Sequence, residues 1–287
     1  MTKQQFEPVN LRKASLNKLD QINSIIEEYQ AQGYSLTLRQ LYYQLVSRNL
    51  IANTQKEYAN LGNLLTKGRM MGLVDWDAIE DRGRVPRIPY YTNGVSDALF
   101  DTANQYRLDR QANQDVYVEV WSEKDALSGI LNQITEYYHV RLMVNKGYSS
   151  CTAMYDAAKR FQGKNGLILY LGDHDPSGED MVRDIKNRLG EFRVNVEVRK
   201  IALTTEQVRN YNPPANYAKV TDSRYKSYME KYGSNCWEVD ALPPNVLNDL
   251  LHSEIQAIID MDKFEERIAL EKEEKDELSL FADSLRR

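Results

Sequence analysis

The chain is poor in the residues that build covalent or caged-metal frameworks. Its 287 residues include only two cysteines and three histidines. Cys151 and Cys236 lie far apart, and neither stands in a Cys-x-x-Cys or Cys-x-x-His context. A disulfide framework and a zinc site are therefore not expected, and both cysteines read as buried free thiols. No apolar run approaches the roughly 20 residues needed to cross a bilayer, which excludes a membrane-spanning protein. Met1 to Asn10 lack the charged start, apolar middle and small-residue cleavage site of a secretory leader, so a cytoplasmic location is expected. There is no Gly-x-x-x-x-Gly-Lys-Ser/Thr loop, so any ATP-driven step would need a separate ATPase subunit. Internal repeats and low-complexity tracts are also missing.

What is present is an ordinary globular composition, 42% hydrophobic and 28% charged, in a chain long enough for two domains. The net charge of −5 counts against indiscriminate coating of DNA. It is unevenly spread: residues 1–110 hold 14 basic against 12 acidic side chains, and residues 111–287 hold 23 against 30. A nucleic-acid surface is thus expected in the first part.

Helical spacing of Leu16, Leu19, Ile22, Ile25 and Ile26 predicts a helix over 15–32, stopped by Gly33. A second helix starts at the cap residue Thr37 and runs through LRQLYYQLVSRN, with Leu38, Leu41, Tyr42 and Leu45 on one face. A third is predicted over 54–71, followed by a turn-like, hairpin-like stretch over 75–87. Three helices and such a tail suggest a winged-helix domain over 1–91, joined by a connector, 92–114. After that the pattern changes. Strands over 116–121, 140–145, 167–171 and 194–201 alternate with helices over 126–138, 152–161 and 179–189. The fold class is therefore α/β, with a mainly parallel sheet flanked by helices over 115–287 and ligands expected at the carboxyl ends of its strands. The last helix, 261–287, carries nine acidic and six basic residues and reads as a solvated face or partner contact.

The most informative segment is LILYLGDHDPSGED, in which an apolar strand ends in Asp173 and Asp175 and then opens a helix. Two carboxylates at this spacing can converge on one hard cation such as Mg²⁺. Glu123, in VYVEVWSEKDAL, follows the first strand of the same unit and can share that edge. Asp, Pro and Gly are also the usual vocabulary of a capped helix start, which is the competing explanation for the aspartates. Glu119, within the strand, suits a hydrogen-bonded role, and His174 should point away from its neighbours.

In the second helix Tyr42 belongs to the apolar stripe, while Tyr43 lies about 100° further round, on the face of Arg39. Tyr43 is thus expected to be exposed beside a guanidinium. A phenol titrating near ~10 needs a base or a cationic setting to act as a nucleophile. Nineteen tyrosines in the chain make ordinary packing the competing explanation.

An acid after the first strand and an Asp-x-Asp-Pro-x-Gly after a later one resemble the Toprim domain of topoisomerases, primases and several nucleases. The words SEKDAL, NKGYSS, GDHDPSG, IALTTEQVRNYNPP and WEVDALPP are more similar to the topoisomerase VI A subunit and its meiotic double-strand-break relatives. The word LRQLYYQLV is similar to the family's Arg-x-x-aromatic-Tyr motif. The resemblance implies Glu123, Asp173 and Asp175 as ligands of Mg²⁺, Tyr43 as the nucleophile and Arg39 as its phosphate clamp. It implies double-stranded DNA as substrate and a homodimer in which one subunit's tyrosine meets the other's metal site. Lys67, Arg69, Arg82, Arg84, Arg87 and Lys146 are the DNA-contact candidates. In NKGYSSCTAM the family's proline after the tyrosine and a later arginine are missing. Two other functions stay open: a Toprim nuclease that uses water, and a noncatalytic winged-helix DNA-binding protein.

Overall fold

The computed structural model describes residues 3–80, 89–145 and 147–285. The first part is three helices, α1 (Lys13–Ala31), α2 (Leu38–Ser47) and α3 (Gln55–Met70), with β1 (Leu36–Thr37) paired in parallel to β2 (Ile79–Glu80). Thr37 caps α2 as the sequence suggests, in a reciprocal capping box with Gln40. The stripes Leu19, Ile22, Ile25 and Ile26 of α1 and Leu41, Tyr42 and Leu45 of α2 meet in one apolar cluster with Leu61 and Leu65 of α3. The expected hairpin-like tail, 75–87, falls largely outside the described residues. Its described part is a 3₁₀ turn, Trp76–Ala78, leading into β2.

Helix α4 (Val95–Gln105) links this part to a regular alternation. Its order is β3 (Tyr117–Ser122), α5 (Ser128–Tyr138), β4 (Arg141–Val144), α6 (Cys151–Phe161), β5 (Gly166–Leu171), α7 (Pro176–Glu191) and β6 (Val196–Ala202). The four strands form one parallel sheet in the order β4-β3-β5-β6. Alternation of side chains along β5 explains why its whole sequence is apolar: Leu167, Leu169 and Leu171 enter one core, Ile168 and Tyr170 the other. Helix α5 covers the first face, and α6 and α7 cover the second.

Beyond the sheet lie α8 (Thr205–Tyr211), β7 (Asn216–Tyr217), α9 (Tyr225–Tyr232) and β8 (Asn235–Cys236), with β7 and β8 antiparallel. Then come α10 (Pro244–Gln256), which adds Leu247, Leu251 and Ile255 to the first core, and α11 (Met261–Ser284). Helix α11 departs from the expectation of a solvated face, because it packs along α4 and buries Phe264, Glu271 and Ala282. Glu271 is held by the Leu108 N–H, Arg110 Nη2 and Lys275 Nζ, each at 3.0 Å. Among the described residues no helix is long and apolar enough to cross a membrane.

The thiols also differ from expectation. Cys151, the first residue of α6, is exposed because that helix packs through Met154, Ala157 and Phe161, and Cys236 is half-buried beside the cavity described below. Glu119, at the centre of β3, is fully buried and accepts from Tyr117 Oη, Trp121 Nε1 and the Arg160 guanidinium at 2.6 to 2.9 Å, the hydrogen-bonded role expected of it.

Candidate functional site

The carboxyl ends of β3 and β5 lie side by side, so the turns that follow them bring Glu123 and Asp173 together. The Asp173 N–H donates to Glu123 Oε2 at 3.1 Å, and the Glu123 N–H donates to the Leu171 carbonyl at 2.9 Å. Asp173 is 6% exposed, with Oδ1 accepting from the Val239 N–H at 2.9 Å and Oδ2 facing Lys124 Nζ at 2.7 Å. Asp175 is the N-cap of α7, where its Oδ1 accepts from the Gly178 N–H at 2.7 Å and Ser177 Oγ at 2.9 Å. Capping and cation binding are not exclusive, since a carboxylate offers about four lone-pair sites. Glycine is required at 178 because a Cβ there would collide with the Asp173 carbonyl. His174 points away from the aspartates, as expected, and is bonded to Tyr228 Oη and Thr205 Oγ1. It also exchanges backbone hydrogen bonds with Trp237, which fastens the 237–241 segment to the acidic turn.

Burial and the nearby charge of Asp173 push Glu123 up to about 7. Burial also raises Asp173, against the pull of Lys124. Both shifts come first from burial of the carboxylates. The site's donors are carboxylate oxygens, and a lysine ammonium already stands between Asp173 and Glu238, so Glu123 and Asp173 fit a hard cation, with Asp175 beside them on the same cavity. Among the described residues no group of three or more His, Cys, Asp or Glu side chains is placed to hold a metal ion together. Water or phosphate oxygens would have to supply the remaining ligands, the usual arrangement for Mg²⁺.

The tyrosine helix borders the same space. Arg39 projects from α2 to pair with Glu238 and, through Nε at 3.0 Å, with Asp240 Oδ2, an ion pair not aligned as a hydrogen bond. Glu238 also receives Lys124 Nζ at 3.2 Å, so one carboxylate bridges the helical unit and the acidic turn. Lys124 and Arg39 hold Glu238 below the usual carboxylate range in spite of its burial. Burial lifts Asp240 to about 6 against those same cations. Arg39, Glu123, Lys124, Asp173, Asp175 and Glu238 share the walls of one cavity of about 620 Å³.

Protein-family models give no match to the chain, and no curated protein matches it.

Tyr42 is buried as expected and donates to Asn53 Oδ1 at 2.9 Å. Tyr43 is not where its helical position suggests. It is 4% exposed, with the Arg39 guanidinium carbon 5.7 Å from its ring centroid. The cover comes from the 3₁₀ turn Val239–Ala241, which packs on α2 and closes the face an isolated helix would show to solvent. Burial raises the Tyr43 phenol, and the charge and hydrogen bond of Glu238 raise it further, outweighing Arg39.

Of the DNA-contact candidates, Lys67 is exposed near the end of α3. Arg69 is turned inward, donating to the Trp76 and Ile79 carbonyls and stacking on Trp76. Arg82, Arg84, Arg87 and Lys146 lie outside the described residues. Lys124, Glu238 and Asp240 were missed as site residues although each sits in a word that carries the resemblance. The signals available were a lysine directly after a candidate metal ligand and a second pair of acids at the spacing of Asp173 and Asp175.

Proposed function

We propose that this chain is a Mg²⁺-dependent DNA-cleaving protein on the plan of the topoisomerase VI A subunit, with a winged-helix unit carrying Tyr43 and a Toprim unit carrying Glu123, Asp173 and Asp175. The observation that carries the reading is the shared cavity: Arg39, from the tyrosine helix, and all three acids line one space within a single chain, which departs from the pairing of one subunit's tyrosine with the other's metal site that the resemblance implies. Mg²⁺ held by Glu123, Asp173 and Asp175 would neutralise charge on the scissile or adjacent phosphate. Arg39 clamps the phosphate by exchanging Glu238 for phosphate oxygens, and a guanidinium is well shaped for that exchange. Tyr43 Oη then attacks phosphorus, the bond from phosphorus to the leaving deoxyribose oxygen breaks, and the phenolic proton passes to Glu238. The leaving oxygen takes a proton from solvent, and reversal of these steps reseals the strand. Covalent linkage of the cut end follows from the nucleophile being a side chain.

On this reading the buried Tyr43 is a resting arrangement, opened when DNA phosphate competes with Glu238 for Arg39. Double-strand cleavage requires two copies, so a homodimer is part of the proposal, as is a separate ATPase subunit for any strand passage. Burial of Tyr43 favours a second reading, a hydrolase in which the acidic site activates water and the tyrosine only packs.

The test is supercoiled plasmid incubated with purified protein and Mg²⁺, quenched with detergent, and analysed with and without protease. Protein-linked nicked or linear DNA that is lost in both Tyr43→Phe and Asp173→Ala supports the transesterase. Cleavage that survives Tyr43→Phe and is lost in Asp173→Ala establishes the hydrolase.

A further inference from the structure

Tyr217 has its ring in solvent on the rim of the acidic cavity, 84% exposed, while the backbone beneath it is held from three directions. Strand β7 pairs with β8, and Ala218 N–H donates to the Ser234 carbonyl at 2.9 Å. Directly after β8, Trp237 is bonded by its backbone to His174, between the two aspartates. From the helical unit, Asn53 Nδ2 reaches the Ala215 carbonyl at 3.2 Å and Asn216 Oδ1 at 3.0 Å. Among the described residues neither Tyr217 nor Lys219 makes a side-chain hydrogen bond, ion pair or ring contact. Both line the cavity that holds Glu123, Asp173 and Asp175.

A large amphipathic ring on a fixed backbone loses little conformational freedom when something stacks on it, which is why tyrosine serves as a binding anchor. Every nucleobase offers a flat face to such a ring, and a neighbouring ammonium suits the backbone phosphate. Tyr217 and Lys219 are two positions apart in the chain and line the same cavity, so a ring and an ammonium are offered to neighbouring parts of one strand.

We propose that Tyr217 and Lys219 form a nucleotide subsite beside the acidic centre, with Tyr217 stacking on an unpaired base and Lys219 contacting the phosphate next to it. The ligand class is a single-stranded or locally opened nucleic acid strand. This rests on the proposed function for its substrate and adds that the strand is unstacked next to the phosphate at the acidic site. An unpaired base is what separates it from duplex binding through phosphates alone, which needs no aromatic group.

The experiment is fluorescence anisotropy with a labelled oligothymidylate in EDTA, using the full chain and its Tyr217→Ala, Tyr217→Trp and Lys219→Ala variants, and repeated with an oligonucleotide of abasic residues. The expected result is affinity about 5- to 100-fold weaker for Tyr217→Ala and near the parent for Tyr217→Trp. The abasic strand should weaken the parent by a similar factor and leave Tyr217→Ala unchanged, and Lys219→Ala should flatten the salt dependence. Equal affinity of the parent and Tyr217→Ala, equal binding of abasic and thymidylate strands, or no binding by the parent overturns the subsite. The outcome is separable from cleavage: a Tyr217 effect in a protein that cuts no plasmid leaves the subsite standing and removes the proposed activity. Tyr217 is exposed and outside the core, so its substitution leaves the fold in place, and circular dichroism of each variant checks this.

Discussion

Lys124 Nζ stands 2.7 Å from Asp173 Oδ2, so an ammonium already neutralises one oxygen of a candidate metal ligand. The same ammonium reaches Glu238, which in turn holds Arg39. A metal at Asp173 would therefore compete with Lys124 for that oxygen.

Replacing Lys124 with methionine removes this competitor while keeping the apolar stem. Affinity for Mn²⁺ in the absence of DNA should rise by about tenfold, since even at the dielectric of water a contact of opposite charges at this range is worth about 1.5 kcal/mol. Electron paramagnetic resonance of free Mn²⁺ gives the constant directly. Unchanged or weaker binding in Lys124→Met, with binding still lost in Asp173→Ala, would show that the lysine helps to hold the metal.

Glu119 and Arg160 form a buried ion pair on the sheet face covered by α6, with Nε to Oε1 at 2.6 Å. Removing only the cation leaves a carboxylate in the core, which costs about 3–5 kcal/mol. Arg160→Ala should therefore lower the melting temperature by several degrees, more than Arg160→Lys. Calorimetry that finds no difference between Arg160→Ala and the parent would contradict the pairing.

Glu271 supplies a pH dependence far from the candidate site. Burial pushes its carboxyl up, but the hydrogen bonds from Lys275 and Leu108 and the pairing with Arg110 prevail and hold it at about 2. A depressed carboxyl stabilises the folded state above its unfolded value, and that contribution is lost as pH falls from about 4.5 towards about 2. At roughly 1.4 kcal/mol for each pKa unit, the loss is on the order of 3 kcal/mol. Thermal melts at pH 5 and pH 3 should show a steeper fall for the parent than for Glu271→Gln, whereas parallel curves would remove Glu271 from the account.

Much of the α/β part was legible in the sequence because its signals are local. A strand such as LILYL, buried on both faces, followed by turn residues and a helix period, admits few other structures, and the expected strand limits differ from those of β3 to β6 by a residue or two. The placement of Glu123 beside Asp173 follows from the parallel order of β3 and β5, so the rule about strand ends locates it. Tyr43 shows the opposite case. A helical period reports which side of α2 meets its own three-helix core, but the cover on the other side comes from residues 239–241, nearly 200 positions away. The same separation hid the bridge from Arg39 through Glu238 to Lys124.

The measurement that tests the central claim most directly is mass spectrometry of protein recovered from a detergent-quenched cleavage reaction after nuclease trimming and trypsin digestion. Arg39 and Arg48 bound a peptide, Gln40 to Arg48, that contains both Tyr42 and Tyr43. The account predicts a nucleotide adduct on this peptide, with fragment ions placing it on Tyr43 and none on Tyr42. Cleaved DNA with unblocked ends and an unmodified peptide would contradict it.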